Sequence, residues 1–324
     1  LVTPYLADSN GGNWRTAARW KKLLAGRFRV ILQNDWNPAE RSDLLIALHA
    51  RRSAKAIQAY RDACPRKPLV VVLTGTDLYR DLEVSVEARR SVEIADALIV
   101  LQEDARKHLP ASDRGKAHVI YQSAPGLINL AKQDGRIRCV AVGHLRPEKS
   151  PTTIFEAMQM LPADAPIDFL HVGSALDPKL AIAARRAMKQ DPRYRWCGPL
   201  PHGLARIAMQ RAHLLVHPSV MEGGANVIVE AVTSGTAVLA SNASGNIGML
   251  GARYPGLFPV GDANALARLM VRSLEPAFFR RLKNACDARR PLYSPELERA
   301  QLCQVIGSLL DQTARPETGR RLHA

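Results

Sequence analysis

The sequence has few cysteines, and none of them forms a metal-binding pair. The five thiols are odd in number, scattered along the chain and never spaced as Cys-x-x-Cys (Cys64, Cys139, Cys197, Cys286 and Cys303). We therefore expect neither a disulfide framework nor a thiolate metal site, and we expect a reducing, cytoplasmic location. The histidines show no paired ligand spacing either, so we expect no metal ion and no other cofactor.

Long apolar runs are missing as well. The best ones, Leu69–Leu73 and Ala97–Leu101, have the length of a strand, far below the roughly 18 residues of a membrane-spanning helix. No signal peptide is visible. The sequence thus predicts a chain without a membrane span.

Aromatic residues are scarce at 5%, while the formal net charge is +15. Such a charge indicates anionic partners and raises the hypothesis of a nucleic-acid-binding protein. However, no basic run is longer than two residues, and few rings are available to stack on bases. We therefore do not expect nucleic acid as a partner. The charge indicates anions without indicating their size.

What the chain does contain is a regular alternation of apolar strand-like runs and amphipathic helical stretches. This alternation is typical of parallel sheets covered on both faces, an α/β fold of doubly wound domains. The pattern pauses at residues 124–136 and then restarts, which predicts domains at 1–133 and 134–324. Residues from about 263 look helical, with the last helix expected either to stay in the second domain or to pack back on the first. Ligands of two such domains bind in the cleft between them, at the carboxyl ends of strands.

The predicted strands are Val2–Pro4, Phe28–Leu32, Leu44–His49, Leu69–Thr74, Ala97–Leu101, His118–Tyr121, Ile137–Val142, Ile167–Val172, Tyr194–Cys197, Leu214–His217 and Ala237–Ala240. The predicted helices are Trp14–Ala25, Ala54–Ala63, Val84–Ile94, Thr152–Leu161, Pro178–Lys189, Leu204–Ala212, Ala225–Ser234, Ala263–Ser273, Ala277–Arg289 and Pro295–Leu310.

The most informative segment is His217–Glu230, where an apolar strand, a Gly-Gly loop and a helix start near Asn226 follow one another. Backbone N–H groups at such a helix start can bind an anion or a sugar hydroxyl. Glu222 and Glu230 can face the same site, and their carboxylates suit the hydroxyls of a ribose or a sugar. The plainer interpretation is a helix-start carboxylate and a solvated helix residue.

A second segment, Val142–Lys149, also follows a predicted strand directly. Arg146 and Lys149 leave a strand-to-helix turn, where two cations can neutralise a diphosphate without a metal. A solvated basic turn is the alternative. His144 could donate to a phosphate or only cap the loop.

Three further loops follow strands of the first half. Asn10–Thr16 contains Gly-Gly, but it lacks the Gly-x-Gly-x-x-Gly dinucleotide pattern, and no Walker-type Gly-Lys-Ser/Thr occurs. Arg51 and Arg52 stand at a strand-to-helix junction, and Thr74–Asp77 ends another strand. These glycines, hydroxyls and guanidiniums predict a pocket for a small phosphate-bearing molecule. The alternatives are surface arginines and a turn-stabilising role for the aspartate.

Together these segments resemble the retaining glycosyltransferases of family four, which have the two-domain GT-B fold. The segments that carry the resemblance are Gly143–Lys149, Trp196–His202, His217-Pro-Ser, Glu222 to Glu230 as Glu-x7-Glu, and Gly235–Ser241. The resemblance implies that the region of Glu222 contacts the donor sugar, that Glu230 holds the ribose, and that the loop near Gly12 lies beside the diphosphate. One departure is that His144 stands where the family usually has arginine, with Arg146 following.

A narrower resemblance covers almost the whole chain, to the selenosugar synthases of selenoneine biosynthesis. It rests on uncommon strings: Asn13–Ala17, Ala47–Ser53, Leu73–Tyr79, Gly143–Arg146, Met221–Asn226 and Tyr254–Asp262. The family implies UDP-N-acetylglucosamine or UDP-glucose as donor and selenophosphate as acceptor. It implies a 1-seleno-sugar, UDP and, after a hydrolysis, phosphate as products, and a link to a selenophosphate synthetase and a selenoneine-forming enzyme.

This assignment agrees with the residues at one point. Selenophosphate arrives anionic and needs positioning more than deprotonation, which suits loops rich in arginine and hydroxyls. The expected catalytic residues are Lys149, Arg146 and Glu222. The expected donor-binding residues are Gly12, Asn13, His144, Cys197, Gly198, Gly223, Gly224, Ala225, Asn226 and Glu230. The expected acceptor-binding residues are Thr16, Arg51, Arg52, Thr74, Gly75, Thr76 and Asp77.

Two other functions stay open from the sequence. A conventional retaining glycosyltransferase acting on a hydroxyl would keep every donor-side inference and change only the acceptor. A non-catalytic sensor of nucleotide sugars would bind the donor without releasing UDP.

Overall fold

The computed structural model describes residues 1–4, 12–128, 130, 132 and 135–314. The chain forms two compact units. Unit 1 comprises Leu1–Gln122 together with the segment from Pro295, and unit 2 comprises Ser123–Ser294. The boundary between the units falls after Gln122, earlier than the expected boundary after residue 133. The last helix belongs to unit 1. No helix of the described residues combines the length and the apolar character needed to cross a membrane.

Unit 1 is built around a four-stranded parallel sheet in the order β1-β2-β3-β4. Its strands are β1 (Leu45–Leu48), β2 (Leu69–Leu73), β3 (Ala97–Val100) and β4 (Ala117–Val119). Its helices are α1 (Gly12–Leu24), α2 (Ala54–Ala63), α3 (Leu82–Val84), α4 (Val86–Ile94) and the last helix, α12 (Pro295–Ala314). A π-helical turn, Asp77–Asp81, precedes α3, and short 3₁₀ segments span Glu103–His108 and Ala111–Lys116.

Both faces of this sheet are buried. Val71 and Leu73 of β2 pack with Ile57 of α2, while Val70 and Val72 pack on the other face with Trp20 of α1. Because alternate residues of a strand point to opposite faces, an unbroken apolar run such as Leu69–Leu73 is what a doubly covered strand requires.

Two predicted strands, Val2–Pro4 and Phe28–Leu32, do not form as strands. Val2 makes isolated parallel bridges to Ala47 and to Gln33 instead. Pro4 has no N–H to donate, so the ladder cannot run on through it. The chain at Phe28–Leu32 lies against the core through alternate apolar side chains without joining a ladder. The prediction of two strands here is therefore wrong, although the alternation of apolar residues is real.

Unit 2 contains a six-stranded parallel sheet in the order β10-β9-β8-β5-β6-β7. Its strands are β5 (Ile137–Val142), β6 (Ile167–Val172), β7 (Tyr194–Trp196), β8 (Leu214–His217), β9 (Ala237–Ser241) and β10 (Leu257–Phe258). Its helices are α5 (Pro151–Met160), α6 (Pro178–Gln190), α7 (His202–Arg211), α8 (Asn226–Thr233), α9 (Ser244–Leu250), α10 (Ala263–Arg272) and α11 (Pro276–Arg289). Short 3₁₀ turns span Pro147–Lys149 and Arg290–Tyr293.

The strand order places the informative segments side by side. The strands β5 and β8 are hydrogen-bonded neighbours in the middle of the sheet. Since all strands are parallel, the loops after β5 and after β8 leave the same edge. The two segments that the sequence singles out, Val142–Lys149 and His217–Glu230, therefore meet.

Candidate functional site

The loops after β5 and β8 are joined by a backbone hydrogen bond. The N–H of Val220 donates to the carbonyl of Glu148 over 2.9 Å. This bond fixes the 3₁₀ turn that carries Lys149 against the loop that carries Glu222. Two segments more than 70 residues apart in the chain thus form one surface.

An ion-pair cluster of Lys149, Glu222 and His217 lies at this junction. The Lys149 ammonium donates to Oε1 of Glu222 over 2.5 Å, and the same oxygen is 3.2 Å from Nε2 of His217. The Lys149 and Glu222 side chains are 20% and 12% exposed, and His217 is buried. Glu222 therefore fixes the position of the Lys149 ammonium, and His217 in turn fixes the Glu222 carboxylate. An ammonium has three donors, so one hydrogen bond to Glu222 leaves capacity for a ligand.

The charges of this cluster support one another. Burial alone would raise the pKa of the Glu222 carboxyl, but the Lys149 charge and the His217 hydrogen bond hold that pKa well below its usual range. Burial lowers the pKa of His217, against the opposing effect of Glu222. At neutral pH the cluster is a carboxylate, an ammonium and a neutral imidazole.

Glycines allow these loops to pack closely. A Cβ atom on Gly173, after β6, would lie 2.0 Å from the carbonyl oxygen of Gly143, and Gly173 has a φ of +152°. A Cβ on Gly245, in α9, would lie 1.8 Å from the carbonyl oxygen of Glu222. The side chain of Lys149 crosses Gly143 at ordinary contact distance. Backbone of neighbouring loops therefore supports both partners of the ion pair.

The other basic candidates of this edge have different surroundings. His144 accepts a hydrogen bond at Nδ1 from the backbone N–H of Ser174 over 3.1 Å, which ties the loop after β5 to the loop after β6. The Arg146 side chain is 46% exposed, and its Nε is 4.0 Å from Glu148. His144 thus makes the loop-capping contact that was one of its two predicted roles. Arg146 is more exposed than Lys149.

Glu230 lies on α8 and is hydrogen-bonded by a histidine. Nε2 of His202, the first residue of α7, is 2.8 Å from Oε1 of Glu230, whose side chain is 13% exposed. Sequence reasoning did not select His202, although it ends the string Trp196–His202. The reason is that α7 and α8 come together only in the folded sheet.

The remaining donor-side candidates of unit 2 lie at two strand ends. Gly223 and Ala225 are buried, and Gly224 and Asn226 are partly exposed at the start of α8, which has no side-chain cap. Cys197 follows β7 as an exposed free thiol. The next residue, Gly198, has a φ of +74°, and its carbonyl accepts from the N–H of Gly173.

In unit 1, the carboxylate of Asp77 comes shortly after β2 and accepts hydrogen bonds from backbone N–H groups. Its Oδ1 accepts from the N–H groups of Thr74 and Gly75, both over 2.8 Å, and its Oδ2 accepts from the N–H of Ala50 over 3.0 Å. The side chain is fully buried. Asp77 therefore stabilises the turn after β2 and joins it to the end of β1.

His49 directly follows β1 and has an unusual backbone conformation. It is a non-glycine residue with a φ of +74°, and its side chain is buried. Nδ1 accepts from the N–H of Arg52 over 3.3 Å, and Nε2 lies 3.0 Å from Oγ1 of Thr76. The acceptor role of Nδ1 assigns the proton of the neutral ring to Nε2, which then donates to Thr76. Burial lowers the pKa of His49, against the charge of Asp77, so the neutral form prevails at neutral pH.

A second buried carboxylate, Asp81, joins two arginines. Nε of Arg51 donates to Oδ2 over 2.7 Å, and Nε of Arg80 donates to Oδ1 over 3.2 Å. The Asp81 side chain is 3% exposed, whereas Arg51 and Arg80 are 42% and 49% exposed. Burial would raise the pKa of Asp81, but these two hydrogen bonds hold it below its usual value. His49, Arg80 and Asp81 were not selected from the sequence. Arg80 and Asp81 come directly after the string Leu73–Tyr79, and His49 lies in Ala47–Ser53.

The glycine-rich loop of the first half is only partly described. Asn10 and Gly11 lie outside the described residues, while Gly12 and Asn13 form the first turn of α1. Thr16 is buried, donates to the carbonyl of Gly12 over 3.0 Å and accepts from the Gln122 amide over 2.6 Å. Arg52 is exposed and Thr74 is partly buried. Thr16, like Asp77, is therefore an expected acceptor-side residue that is already engaged in buried hydrogen bonds.

The described residues contain no group of three or more histidine, cysteine, aspartate or glutamate side chains placed to hold a metal ion.

Comparison with known proteins agrees with this architecture. Residues 128–284 match the family described as glycosyl transferases group 1. Among solved structures, HepE from Anabaena in complex with UDP and glucose has a TM-score of 0.66 and 21% identity, covering 82% of this chain and 78% of that chain. Sucrose-phosphate synthase from Thermosynechococcus elongatus has a TM-score of 0.68 and 20% identity, covering 83% and 74%. The UDP-forming α,α-trehalose-phosphate synthase from Burkholderia vietnamiensis has a TM-score of 0.68 and 12% identity, covering 84% and 74%.

The matched residues cover most of unit 2, so this unit is similar to the glycosyl transferases group 1 family. The chain as a whole has the GT-B fold of two parallel-sheet, Rossmann-like domains. The predicted α/β fold with two doubly wound domains is thereby confirmed. The Glu-x7-Glu segment and the loop after β5 both fall inside the matched region.

Proposed function

We propose that the protein is a glycosyltransferase that moves a sugar from a UDP-sugar to selenophosphate and so forms a carbon–selenium bond. The proposed donor is UDP-N-acetylglucosamine or UDP-glucose. The donor class is supported by the group 1 domain in unit 2 and by the complexes of HepE with UDP and with UDP-glucose. A selenophosphate synthetase would supply the acceptor, and a selenoneine-forming enzyme would consume the product.

Unit 2 offers separate groups for each part of the donor. The carboxylate of Glu230, oriented by His202, suits the two hydroxyls of a ribose. Lys149, oriented by Glu222, and the exposed Arg146 suit the diphosphate. As that diphosphate leaves it gains negative charge, and a cation fixed in advance stabilises the charge without moving. These cations would take the place of a metal ion.

The main support for selenophosphate as the acceptor is that the two carboxylates after β2 already have hydrogen-bond partners within the protein. Asp77 is satisfied by three backbone N–H groups, and Asp81 is paired with two arginines. Neither is placed to accept a proton from a substrate hydroxyl, a proton that a conventional acceptor must lose. The exposed groups around them are arginines, and the hydroxyls of Thr74 and Thr76 lie beside them in partly buried positions. Such a surface suits an acceptor that arrives already ionised.

The proposed chemistry needs no base. A lone pair of selenium forms the bond to the anomeric carbon, while the bond from that carbon to the diphosphate oxygen breaks and its electrons leave with UDP. The first product is a sugar with a Se–PO₃ group. Water then cleaves the selenium–phosphorus bond, which gives the 1-seleno-sugar and phosphate. The protein contributes positioning and charge stabilisation.

Mass spectrometry of the products tests the proposal. Purified protein is incubated with UDP-N-acetylglucosamine or UDP-glucose and with selenophosphate, and parallel reactions contain sugar or small-molecule hydroxyls instead. We expect a seleno-sugar and stoichiometric UDP. In the same assay Glu230→Ala should raise the donor KM sharply, because the ribose contact is lost, while the KM for selenophosphate changes little.

The other outcomes are informative. Transfer to a hydroxyl acceptor without any seleno-sugar would establish a conventional glycosyltransferase and overturn the selenium proposal. Donor binding without UDP release under every condition would identify a nucleotide-sugar sensor.

A further inference from the structure

The carboxylate of Asp81 connects two arginines that lie on different elements. Arg51 belongs to the turn after β1, and Arg80 belongs to the π-helical turn after β2. Each donates through Nε to a different oxygen of the same carboxylate. The carboxylate is buried, whereas both arginine side chains are about half exposed. Each arginine is therefore held from the inside and reaches the surface of unit 1.

The π-helical turn explains how Arg80 reaches this position. It begins at Asp77, whose carboxylate is bound by the backbone of both strand ends, and it closes at Asp81. Turns of this kind are rare and frequently occur at functional sites. Here the turn brings Arg80 to the same carboxylate as Arg51, which lies in the turn after the neighbouring strand β1. The predicted loop Thr74–Asp77 did not include Arg80.

His49 orients a further donor, the hydroxyl of Thr76, beside the arginine pair. Its Nε2 lies 3.0 Å from the hydroxyl of Thr76 and 3.9 Å from Oδ2 of Asp81. When the imidazole N–H donates to the Thr76 oxygen, the hydroxyl proton of Thr76 points elsewhere and is itself a donor. The strained backbone of His49 is the kind of outlier that persists where the surroundings demand it.

We propose that Arg51, Arg80 and the hydroxyl of Thr76 form one oxyanion-binding site, with Asp81 and His49 as positioning residues. Its ligand is a tetrahedral oxyanion that carries at least two ionised oxygens, of the phosphate type. Two guanidiniums held by a common carboxylate present donors from two sides, which suits a terminal PO₃ group better than a phosphodiester or a carboxylate. The naming of this ligand as the acceptor selenophosphate rests on the proposed function. The site itself rests on the geometry of unit 1.

Calorimetric titration of the full chain with inorganic thiophosphate, in the absence of donor, tests the site directly. We expect Arg80→Gln and Arg51→Gln each to weaken thiophosphate binding by about tenfold, since each removes a charge-assisted hydrogen bond. Arg80→Lys should recover part of the loss. The matched control is Arg90→Gln on α4, an exposed arginine that pairs with Glu93, and it should bind as the wild type does.

Turnover measurements separate this inference from the proposed function. We expect Arg80→Gln to raise the KM for selenophosphate about tenfold and to change kcat much less, because the contact is to the part of the acceptor that does not react. Wild-type affinity for thiophosphate in Arg80→Gln, or no thiophosphate binding by the wild type, would overturn the oxyanion site. Normal arginine-dependent thiophosphate binding without any seleno-sugar formation would leave the site standing and overturn the selenium proposal.

Discussion

His171 is a buried titratable residue of β6, beside the loop that carries Lys149. Its Nδ1 lies 2.9 Å from the hydroxyl of Tyr194, and it also forms a hydrogen bond with the backbone of Gly143. Burial lowers the pKa of His171 from 6.5 to about 4. The neutral ring therefore fits its site, and a proton on it would be unsolvated.

This shift makes the stability of the protein depend on pH. Below pH 6.5 the unfolded chain binds a proton at His171 and the folded chain does not, so stability falls as the pH falls towards about 4. Between pH 7 and 5 we expect a loss of about 2 kcal/mol from this group. Urea unfolding of the wild type and of His171→Asn at both pH values measures it, since the variant should lose that part of the pH dependence.

Tyr194→Phe is the matched control for this measurement. It removes the hydroxyl partner of His171 and leaves the titratable ring in place, so stability should drop at both pH values while the pH dependence stays. An unchanged pH dependence in His171→Asn would contradict the assignment.

Residue types could be predicted better than residue roles. The sequence selected Glu222, Glu230 and Lys149 from their spacing, but it did not show that Lys149 and Glu222 form an ion pair backed by His217. For Asp77 it left a turn role and a catalytic role open, and three backbone N–H groups now occupy that carboxylate. Pairing of charges depends on distances between strand ends, which the order of residues alone does not contain.

Among the elements, the strand-to-helix loops of unit 2 depend on close contact between backbones. Gly173 packs on the carbonyl of Gly143, and its φ of +152° suits glycine alone. The N–H of Gly143 in turn donates to the carbonyl of Val172. Neighbouring loops are therefore one packed layer, and the position of Lys149 follows from it.

The substitution Gly173→Ala should disturb this layer. We expect a loss of about 3 kcal/mol in the free energy of unfolding, because the new Cβ meets backbone and the conformation is strained. On the proposed function, the KM for the UDP-sugar should rise as well, since the loop of Lys149 must move. Gly203→Ala in α7 is the control: no atom lies within 4 Å of the new Cβ, and alanine favours helix, so stability should stay or increase slightly. Equal stability of the two variants would argue against the packed layer.

The spacing of apolar residues along the sequence was enough to predict most helices and strands. Ile137–Val142, Ile167–Val172, Leu214–His217 and Ala54–Ala63 have the predicted bounds. The prediction failed at Phe28–Leu32, where apolar residues alternate without a partner strand, and it missed β10, which has two residues. Periodicity reports which side chains are buried, whereas a strand also needs a neighbour to bond to.

At the scale of the whole chain, the last helix returns to unit 1. The buried carboxylate of Glu298, on α12, accepts from the guanidinium of Arg19 over 3.0 Å and from Nε1 of Trp20 over 2.7 Å, both on α1. Leu302 and Ile306 of α12 pack into the same core as Trp20. Unit 1 is thus closed by a segment far from the rest of it in sequence.

Removing this carboxylate should destabilise unit 1. Glu298→Ala leaves a guanidinium and an indole N–H without their buried partner, and we expect a loss of about 3–5 kcal/mol. Hydrogen exchange should show faster exchange of the amides of α1 and β1, with those of β5 and β8 in unit 2 unchanged. Glu296→Ala, an exposed position in the first turn of the same helix, should exchange as the wild type does. Uniform acceleration across both units would contradict an effect confined to unit 1.

The net charge of +15 illustrates what the sequence determines and what only the tertiary structure determines. By itself the sequence determined two doubly wound domains and the Glu-x7-Glu segment, and its charge indicated anionic partners, because periodicity, glycines and charge can be read along the chain. Only the tertiary structure decided which polar and charged groups contact one another: Lys149 with Glu222 backed by His217, and Arg51 with Arg80 through Asp81. Parallel strands bring loops from distant parts of the sequence to one edge, and the pairing of their charges is settled there by distance and burial.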